Sequence, residues 1–270
     1  MNPFPTGSGS HVITTLLRRL RRAVRRLGVD VVRHRPGGHE LVRLLARYEI
    51  DLVLDVGAHR GDFGTLLREA GYRGRIVSFE PLREPRAELR HRAALDDTWS
   101  VLPYALGDRT GTAPLNISGN AGPASSFLPM LPRHRAAAPR TAYTGDVIVE
   151  TRRLDEVWEQ VTAPGERVFL ALDVQGYEAQ VLDGAGELAD EICGVRIGAP
   201  LVPLFEGGRL FDELLALARE RLGLTLMSLE PGFTDPREGR MLQCALVLLR
   251  EDAAEPLGAS ELVPAQAAPA

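Results

Sequence analysis

The chain has 270 residues, 44% of them hydrophobic, and a formal net charge of −4. Because no apolar run approaches the roughly 20 residues that a membrane-spanning helix needs, we expect a soluble, cytoplasmic chain with one large α/β domain. The acidic balance argues against nucleic-acid binding, and two cysteines without a Cys-x-x-Cys pair, Cys193 and Cys244, argue against a disulfide framework or a zinc site.

The first predicted element is a basic amphipathic helix, which together with a linker occupies residues 1–38. "LLRRLRRAVRRLG" places leucines and a valine on one stripe and arginines around the rest. We expect this helix to pack on the domain with a solvated arginine face; the alternative is peripheral contact with an anionic membrane. The main domain is predicted over residues 39–250, and the small, Pro-rich and acidic residues 251–270 predict a disordered tail.

Between these ends, apolar strand-like segments alternate with helical ones. The predicted strands are residues 51–56, "RIVSFE", "WSVLPYAL", "RVFLALDV", "EICGVRIG", "LTLMSLE" and "MLQCALVLL". That order predicts a largely parallel sheet with a ligand beyond the carboxyl ends of its strands. The turn-rich "PGFTDPREGR" predicts that the last two strands form a hairpin, with one antiparallel strand at that edge.

The ends of the first two strands carry residues suited to a nucleoside. Asp55, Gly57 and Gly61 form D-x-G-x-x-x-G, whose glycines let backbone N–H groups approach a ligand. Glu80 ends the next strand, where folds of this kind hold the two ribose hydroxyls. Because His59 takes the place of the second glycine in G-x-G-x-x-G, the turn favours a nucleoside without phosphates, such as S-adenosylmethionine, over NAD.

Six blocks of the sequence resemble a known family in their order and spacing. They are "IDLVLDVGAHRGDF", "GYRGRIVSFEP", "ALGDRTGTAPLNIS", "LALDVQGYEAQVLDGA", "LVPLFEG" and "LEPGFTDPREGRMLQ". The chain is similar over about residues 41–250 to the FkbM family of S-adenosylmethionine-dependent methyltransferases. The resemblance implies a class I methyltransferase Rossmann-like α/β fold: a seven-stranded, mostly parallel sheet with an antiparallel edge hairpin and helices on both faces. It also implies O-methylation of a hydroxyl on a sugar, glycan or secondary metabolite.

The resemblance also implies roles for individual residues. Those that would bind the donor are Asp55, Gly57, Ala58 and Gly61 at the methionine end, Glu80 at the ribose, and Ala105, Leu106, Gly107 and Asp108 at the adenine. Asp173 would face the reacting methyl group as the catalytic residue, and its alternative role is to cap the helix that follows. No metal ion is expected, because few acids converge on the site.

Three positions that are often polar in the family are small or apolar here: Ala171, Gly198 and Ala245. One explanation is that methyl transfer depends mainly on positioning the reactants. The other is that the chain binds the donor without catalysis, or uses a different acceptor. The remaining candidate bases are Asp173, Glu178, His59 and His134, although a lone histidine in a loop is more often a surface residue.

Residues 119–146 interrupt the alternation with a long stretch rich in Pro, Ala and Ser. A loop of that length in a compact domain is typical of a lid or a binding loop, and the alternative is a mobile surface excursion. The residues predicted to reach an acceptor, in this stretch and after the strand that ends at Asp173, are Ser125, Ser126, Phe127, His134, Gln175 and Glu178.

Overall fold

The computed structural model describes residues 38–119 and 122–251. The predicted N-terminal helix and the predicted tail lie outside the described residues, so both stay predictions. Within the described ranges, no helix has the length and apolar character needed to cross a membrane.

Strands and helices alternate along the described chain. The strands are β1 (Leu52–Val56), β2 (Arg75–Phe79), β3 (Trp99–Leu102), β4 (Ala105–Leu106), β5 (Gly111–Ser118), β6 (Tyr143–Arg152), β7 (Val168–Leu172), β8 (Ile192–Pro200), β9 (Thr225–Pro231) and β10 (Gln243–Leu249). The α-helices are α1 (His39–Arg47), α2 (Asp62–Glu69), α3 (Arg83–Ala93), α4 (Pro132–Ala137), α5 (Leu154–Val161), α6 (Glu178–Asp183) and α7 (Phe211–Leu222).

Seven strands form the main sheet, in the order β3-β2-β1-β7-β8-β10-β9. β10 runs antiparallel to its neighbours β8 and β9, while the four remaining pairs of neighbouring strands, from β3 to β8, are parallel. The predicted sheet and its terminal hairpin are therefore confirmed. One detail differs: the antiparallel strand β10 lies one position inside the edge, and β9 forms the edge itself.

The segment "WSVLPYAL" is two strands, and not one as predicted. Proline lacks the backbone N–H that a sheet ladder uses, and Pro103 separates β3 from β4. β4 belongs to a second, three-stranded sheet in the order β4-β6-β5. The sequence did not reveal this sheet because most side chains of β6 are exposed, which leaves little apolar alternation to detect.

Helices cover both faces of the main sheet, and each side has its own hydrophobic core. On one side α5, α6 and α7 contribute Leu154, Leu182 and Leu214, all fully buried. On the other side α1, α2 and α3 pack through leucines against β1, β2 and β7. Every residue of β1 is buried, Asp55 included, as the largely apolar segment predicts for a central parallel strand. This packing leaves the carboxyl ends of the strands as the open edge.

Candidate functional site

The turn that follows β1 brings its backbone against the end of β7. Gly57 and Gly61 have φ angles of +83° and +85°, in the left-handed region that favours glycine. A Cβ atom on Gly57 would lie 2.4 Å from the backbone oxygen of Asp173, and one on Gly61 would lie 2.6 Å from Leu89 Cδ1. Both positions therefore favour glycine by conformation, and Gly57 also by space, because the atom that it approaches belongs to the backbone. Gly61 lies just before α2 and lines none of the clefts described below.

Glu80 lies beside this turn at the end of β2 and is only 5% exposed. Its Oε2 accepts a hydrogen bond from the His59 backbone N–H at 2.8 Å, and its Oε1 accepts one from Leu82 N–H at 2.7 Å. Burial raises the pKa of Glu80 to about 7, although both hydrogen bonds oppose the shift. Since a carboxylate oxygen has two lone pairs, each can still accept from a ligand hydroxyl.

A first cleft of about 530 Å³ extends from Glu80 across the ends of β1, β2 and β4. The predicted residues that line it are Gly57, His59, Glu80, Ala105, Leu106, Ser125, Phe127, Asp173 and Gln175. Many of the other lining residues are apolar, among them Phe79, Leu82 and Leu115, and the ring of Phe127 lies 4.9 Å from that of Tyr177. An apolar cleft with one carboxylate at its end suits a purine nucleoside.

Gly107 and Asp108 come directly after Leu106 in the chain but do not line the first cleft. A Cβ on Gly107 would lie 3.0 Å from the Tyr177 ring, and Asp108 Oδ1 accepts a hydrogen bond from the Tyr177 hydroxyl at 3.1 Å. Both residues therefore contact Tyr177, which itself packs on Phe127. The resemblance implies that both residues contact the adenine directly, but neither of them lines the first cleft.

Asp55 lines a second cleft of about 600 Å³, together with Gly57, Ala58 and His59 from the turn. The Asp55 side chain is 4% exposed and accepts a hydrogen bond from the Ser78 hydroxyl at 2.9 Å. The indole N–H of Trp99 donates in turn to that hydroxyl at 3.0 Å. Burial raises the pKa of Asp55 to about 7 despite the hydrogen bond from Ser78.

Asp173 lies where the first and second clefts meet a third. Its Oδ1 accepts a hydrogen bond from Gln175 Nε2 at 2.7 Å, and Gln175 has a left-handed φ of +55°. Asp173 is exposed to solvent. Partial desolvation by its neighbours raises the pKa of Asp173, and the positive charge of Arg196 opposes the shift.

The third cleft, of about 590 Å³, lies beside Asp173 at the ends of β8 and β10. Gly198 and Ala245, two of the depleted positions, line it. The space beside Gly198 is not empty, because a Cβ there would lie 2.7 Å from Nε2 of Gln243. The Gln243 amide therefore supplies polarity at a place where the sequence suggested a loss.

Two predicted acceptor contacts in residues 119–146 are buried. Ser126 is 1% exposed and its hydroxyl donates to the Gln175 carbonyl at 2.7 Å. His134 is 4% exposed, so its interpretation as a surface residue is wrong. Its ring lies 5.2 Å from those of Phe205 and Phe233, its Nδ1 lies 3.1 Å from the Thr141 hydroxyl, and burial lowers its pKa.

This part of the chain is therefore anchored to the site. Ser126 holds the turn after β7, and His134 forms part of the wall of the third cleft. The described residues of the segment also include the helix α4 and the first residues of β6, so the segment is not one irregular loop.

Glu178 is 1% exposed and lies beneath the turn that follows β7. Its Oε1 accepts hydrogen bonds from the backbone N–H groups of Val174 and Gly176, at 3.2 and 3.3 Å. Burial raises the pKa of Glu178 to about 7. Glu178 lines none of the three clefts, so the prediction of an acceptor contact is corrected: this carboxyl group holds the turn.

Arg196, on β8, is the site residue that sequence reasoning missed. It lines both the second and the third cleft. Its Nε donates to Glu230 Oε2 at 2.8 Å, and its guanidinium carbon lies 5.1 Å from the centre of the Phe63 ring. One signal could have found it: a charged residue inside the apolar segment "EICGVRIG" needs a partner or a function, since unpaired charges are rarely buried.

No group of three or more His, Cys, Asp or Glu side chains is arranged to hold a metal ion within residues 38–119 and 122–251. The expectation that the reaction needs no metal stays a prediction.

The chain matches the family model of the methyltransferase FkbM domain over residues 55–222, and no curated protein matches it. A putative O-methyltransferase from Klebsiella pneumoniae is similar in structure, with a TM-score of 0.45, 11% identity and coverage of 91% of each chain. An rRNA methylase from Streptococcus thermophilus has a TM-score of 0.43 and 10% identity, covering 82% of this chain and 99% of its own.

Magnesium protoporphyrin IX methyltransferase from Synechocystis, with bound S-adenosylmethionine, has a TM-score of 0.42 and 9% identity, covering 91% of this chain and 86% of its own. Likeness at these levels carries no inference about the acceptor of this chain. The family match, in contrast, spans more than half of the sequence. The chain therefore belongs to the FkbM methyltransferase family, whose methyl donor is S-adenosylmethionine.

Proposed function

We propose that the chain transfers the methyl group of S-adenosylmethionine to a hydroxyl oxygen of a sugar, glycan or secondary metabolite. The observation that carries the proposal is the position of Asp173, which borders the first, second and third clefts at once. Two clefts suffice for the two ends of the donor, and the third leaves room for an acceptor beside the same carboxylate.

The residues of the first two clefts fit the donor. Glu80 would accept hydrogen bonds from the ribose hydroxyls, and Leu106 and Phe127 offer apolar surface to the adenine. Asp55, in the second cleft, is suited to the ammonium group of the methionine end. When bound, the donor supplies an electrophilic methyl group on its sulfonium sulfur.

Asp173 would accept a hydrogen bond, and then the proton, from the attacking hydroxyl. Its raised pKa favours this role, because a base with a pKa nearer to neutral takes up a proton more readily. Gln175 orients the carboxylate from one side. The alternative role as a helix cap is not supported: α6 has no side-chain hydrogen bond at its N-cap, and Glu178 bonds the turn N–H groups instead.

Donor binding without catalysis is the competing function, and Gly198 and Ala245 are the observation in its favour. The arrangement of the third cleft supports an acceptor site instead. Gln243 fills the space beside Gly198, and Gln175 and Arg196 line the same cleft. These side chains place hydrogen-bond donors around Asp173, which an oxygen-rich acceptor can use.

The test is methyl transfer from labelled S-adenosylmethionine to a panel of sugar, glycan and polyketide hydroxyls, in the wild type and in Asp173→Asn. We expect the variant to keep its donor affinity within about twofold and to lose roughly 100-fold or more in turnover, the usual contribution of a general base. Asp183→Asn is a matched control, because Asp183 pairs with Arg221 on α7 and lines none of the clefts.

Each outcome has a distinct meaning. Equal turnover in Asp173→Asn and the wild type would contradict the role of Asp173. Donor binding without transfer to any acceptor would favour the non-catalytic function, and transfer to nitrogen alone would contradict O-methylation.

A further inference from the structure

Arg196 and Asp55 lie in one row on the same face of the main sheet. In the strand register Asp55 pairs with Ala171, and Ala171 pairs with Arg196. Since neighbouring strands lie about 4.8 Å apart, the Cα atoms of Asp55 and Arg196 are separated by roughly 10 Å. Only the methyl group of Ala171 lies between them, which leaves room above the sheet for a small charged group.

The Arg196 guanidinium is held from two sides. Glu230 accepts from its Nε, and the face of the Phe63 ring lies against it. Among the described residues, its two Nη groups have no hydrogen-bond acceptor. A planar group fixed in this way, with two parallel donors left over, matches a carboxylate and loses little conformational freedom on binding it.

The charges of the second cleft match an amino-acid zwitterion. Asp55, Asp62, Asp173 and Arg196 are its charged residues, and Asp62 is engaged with Arg92 at 2.6 Å. With Asp62 engaged elsewhere, the cleft offers the carboxyl groups of Asp55 and Asp173 and the guanidinium of Arg196. An α-amino acid presents the complementary pair, an ammonium and a carboxylate on a single carbon.

We propose that Arg196 binds the α-carboxylate of the S-adenosylmethionine tail while Asp55 binds its ammonium. The inference rests on the proposed function only in that both use the same donor. The donor's tail is favoured over an anionic acceptor as the source of the carboxylate because the second cleft shares Gly57 and His59 with the first. A tail attached to a nucleoside in the first cleft thus passes directly into the second.

The test compares two ligands that differ only in the carboxylate: S-adenosylmethionine and decarboxylated S-adenosylmethionine. Binding is measured by titration calorimetry on the full chain. We expect Arg196→Gln to weaken binding of S-adenosylmethionine by roughly 10- to 100-fold, the usual range for a hydrogen bond to a charged group, and to change binding of the decarboxylated ligand less than about twofold. The wild type should prefer S-adenosylmethionine by a similar factor.

Arg221→Gln is the control variant, because it also removes one arginine from an ion pair but lies on α7, away from the clefts. It should leave both affinities unchanged. Glu230→Gln is a second, milder variant, which keeps the guanidinium and loosens its anchor. We expect it to weaken binding of S-adenosylmethionine a few-fold, again with little effect on the decarboxylated ligand, and it gives the answer if Arg196→Gln does not fold.

Equal losses for the two ligands would overturn the inference, since the effect would then come from structure or from general charge. Unchanged affinity for both would also overturn it, and a defect confined to anionic acceptors would assign Arg196 to the third cleft. A wild type that binds neither ligand would instead contradict the proposed function.

Discussion

The two sides of the open edge are built in different ways. At the ends of β1 and β2, the site is formed mainly by backbone contacts. The Gly57 turn lies against the carbonyl of Asp173, and Glu80 accepts hydrogen bonds from two backbone N–H groups. At the ends of β8 and β10, side chains from separate strands meet, with Gln243 beside Gly198 and Arg196 paired with Glu230. The nucleoside end of the donor site thus depends on local chain conformation, whereas Arg196 and the third cleft depend on long-range side-chain contacts.

The largest effect should come from Gly57→Ala, which displaces the backbone of the turn on the donor side. A Cβ there meets the Asp173 carbonyl and also requires a left-handed φ, so we expect a loss of about 2–3 kcal/mol in the free energy of unfolding. Donor affinity should fall roughly 100-fold or more because the turn has to move; chemical denaturation and titration calorimetry measure the two effects.

Gly165→Ala is the matched control for that variant. Gly165 has nearly the same φ, +82°, but a Cβ there meets nothing within 4 Å. It should cost only about 1 kcal/mol of conformational strain. If the two variants lose the same stability, the close approach to Asp173 is not what requires glycine at position 57.

A second prediction concerns the pH dependence of stability on the donor side. Burial raises the pKa of Glu80 from its ordinary value of 4.5 to about 7 in the folded chain. Between these values the folded state keeps a proton that the unfolded state has lost, so this group's contribution to stability falls as pH rises from about 4.5 to 7. The slope is at most about 1.4 kcal/mol per pH unit.

Glu80→Gln removes that titration, so the difference in stability between the variant and the wild type reports it. In donor-free protein, the stability of the variant relative to the wild type should increase over this pH range and level off above it, in urea unfolding measured at a series of pH values. The same variant should bind S-adenosylmethionine roughly 10-fold more weakly at neutral pH, because a neutral amide is a weaker acceptor for the ribose hydroxyls. A pH-independent difference would contradict the raised pKa.

On the acceptor side we expect a smaller effect, which changes acceptor binding and leaves donor binding unchanged. Gln243→Ala should leave donor affinity unchanged and raise the KM for the acceptor about fivefold, the equivalent of one ordinary hydrogen bond. Gln160→Ala, on the exposed side of α5, controls for loss of an amide elsewhere. A weaker donor affinity in Gln243→Ala would mean that the two sides are not as separate as their construction suggests.

The smallest expected effect is that of a chelator. Among the described residues no acidic cluster could hold a hard cation, so turnover should be unchanged in excess EDTA. Activity that is lost in chelator and restored by magnesium would contradict this prediction.

The sequence alone determined the features that depend on nearby residues. Alternating apolar segments predicted which stretches of the chain form the main strands, and the spacing of Asp55, Gly57 and Gly61 predicted the turn after β1. Because a strand, a tight turn and a helix follow one another within a few residues, their signals stand side by side in the sequence. Glu80 could be identified for the same reason, since it ends the adjacent strand of the same βαβ unit.

Only the tertiary structure decided the features that depend on contacts between distant segments. Ser126 and Glu178 were predicted at the acceptor, yet both hold the turn after β7, and His134, which lines the third cleft, is buried between two aromatic rings. The role inferred for Arg196 depends on Asp55, which lies two strands away across Ala171, and on its ion pair with Glu230 on β9. Whether a polar side chain faces a ligand or the interior depends on which strands become neighbours, and strand order is a property of the folded chain.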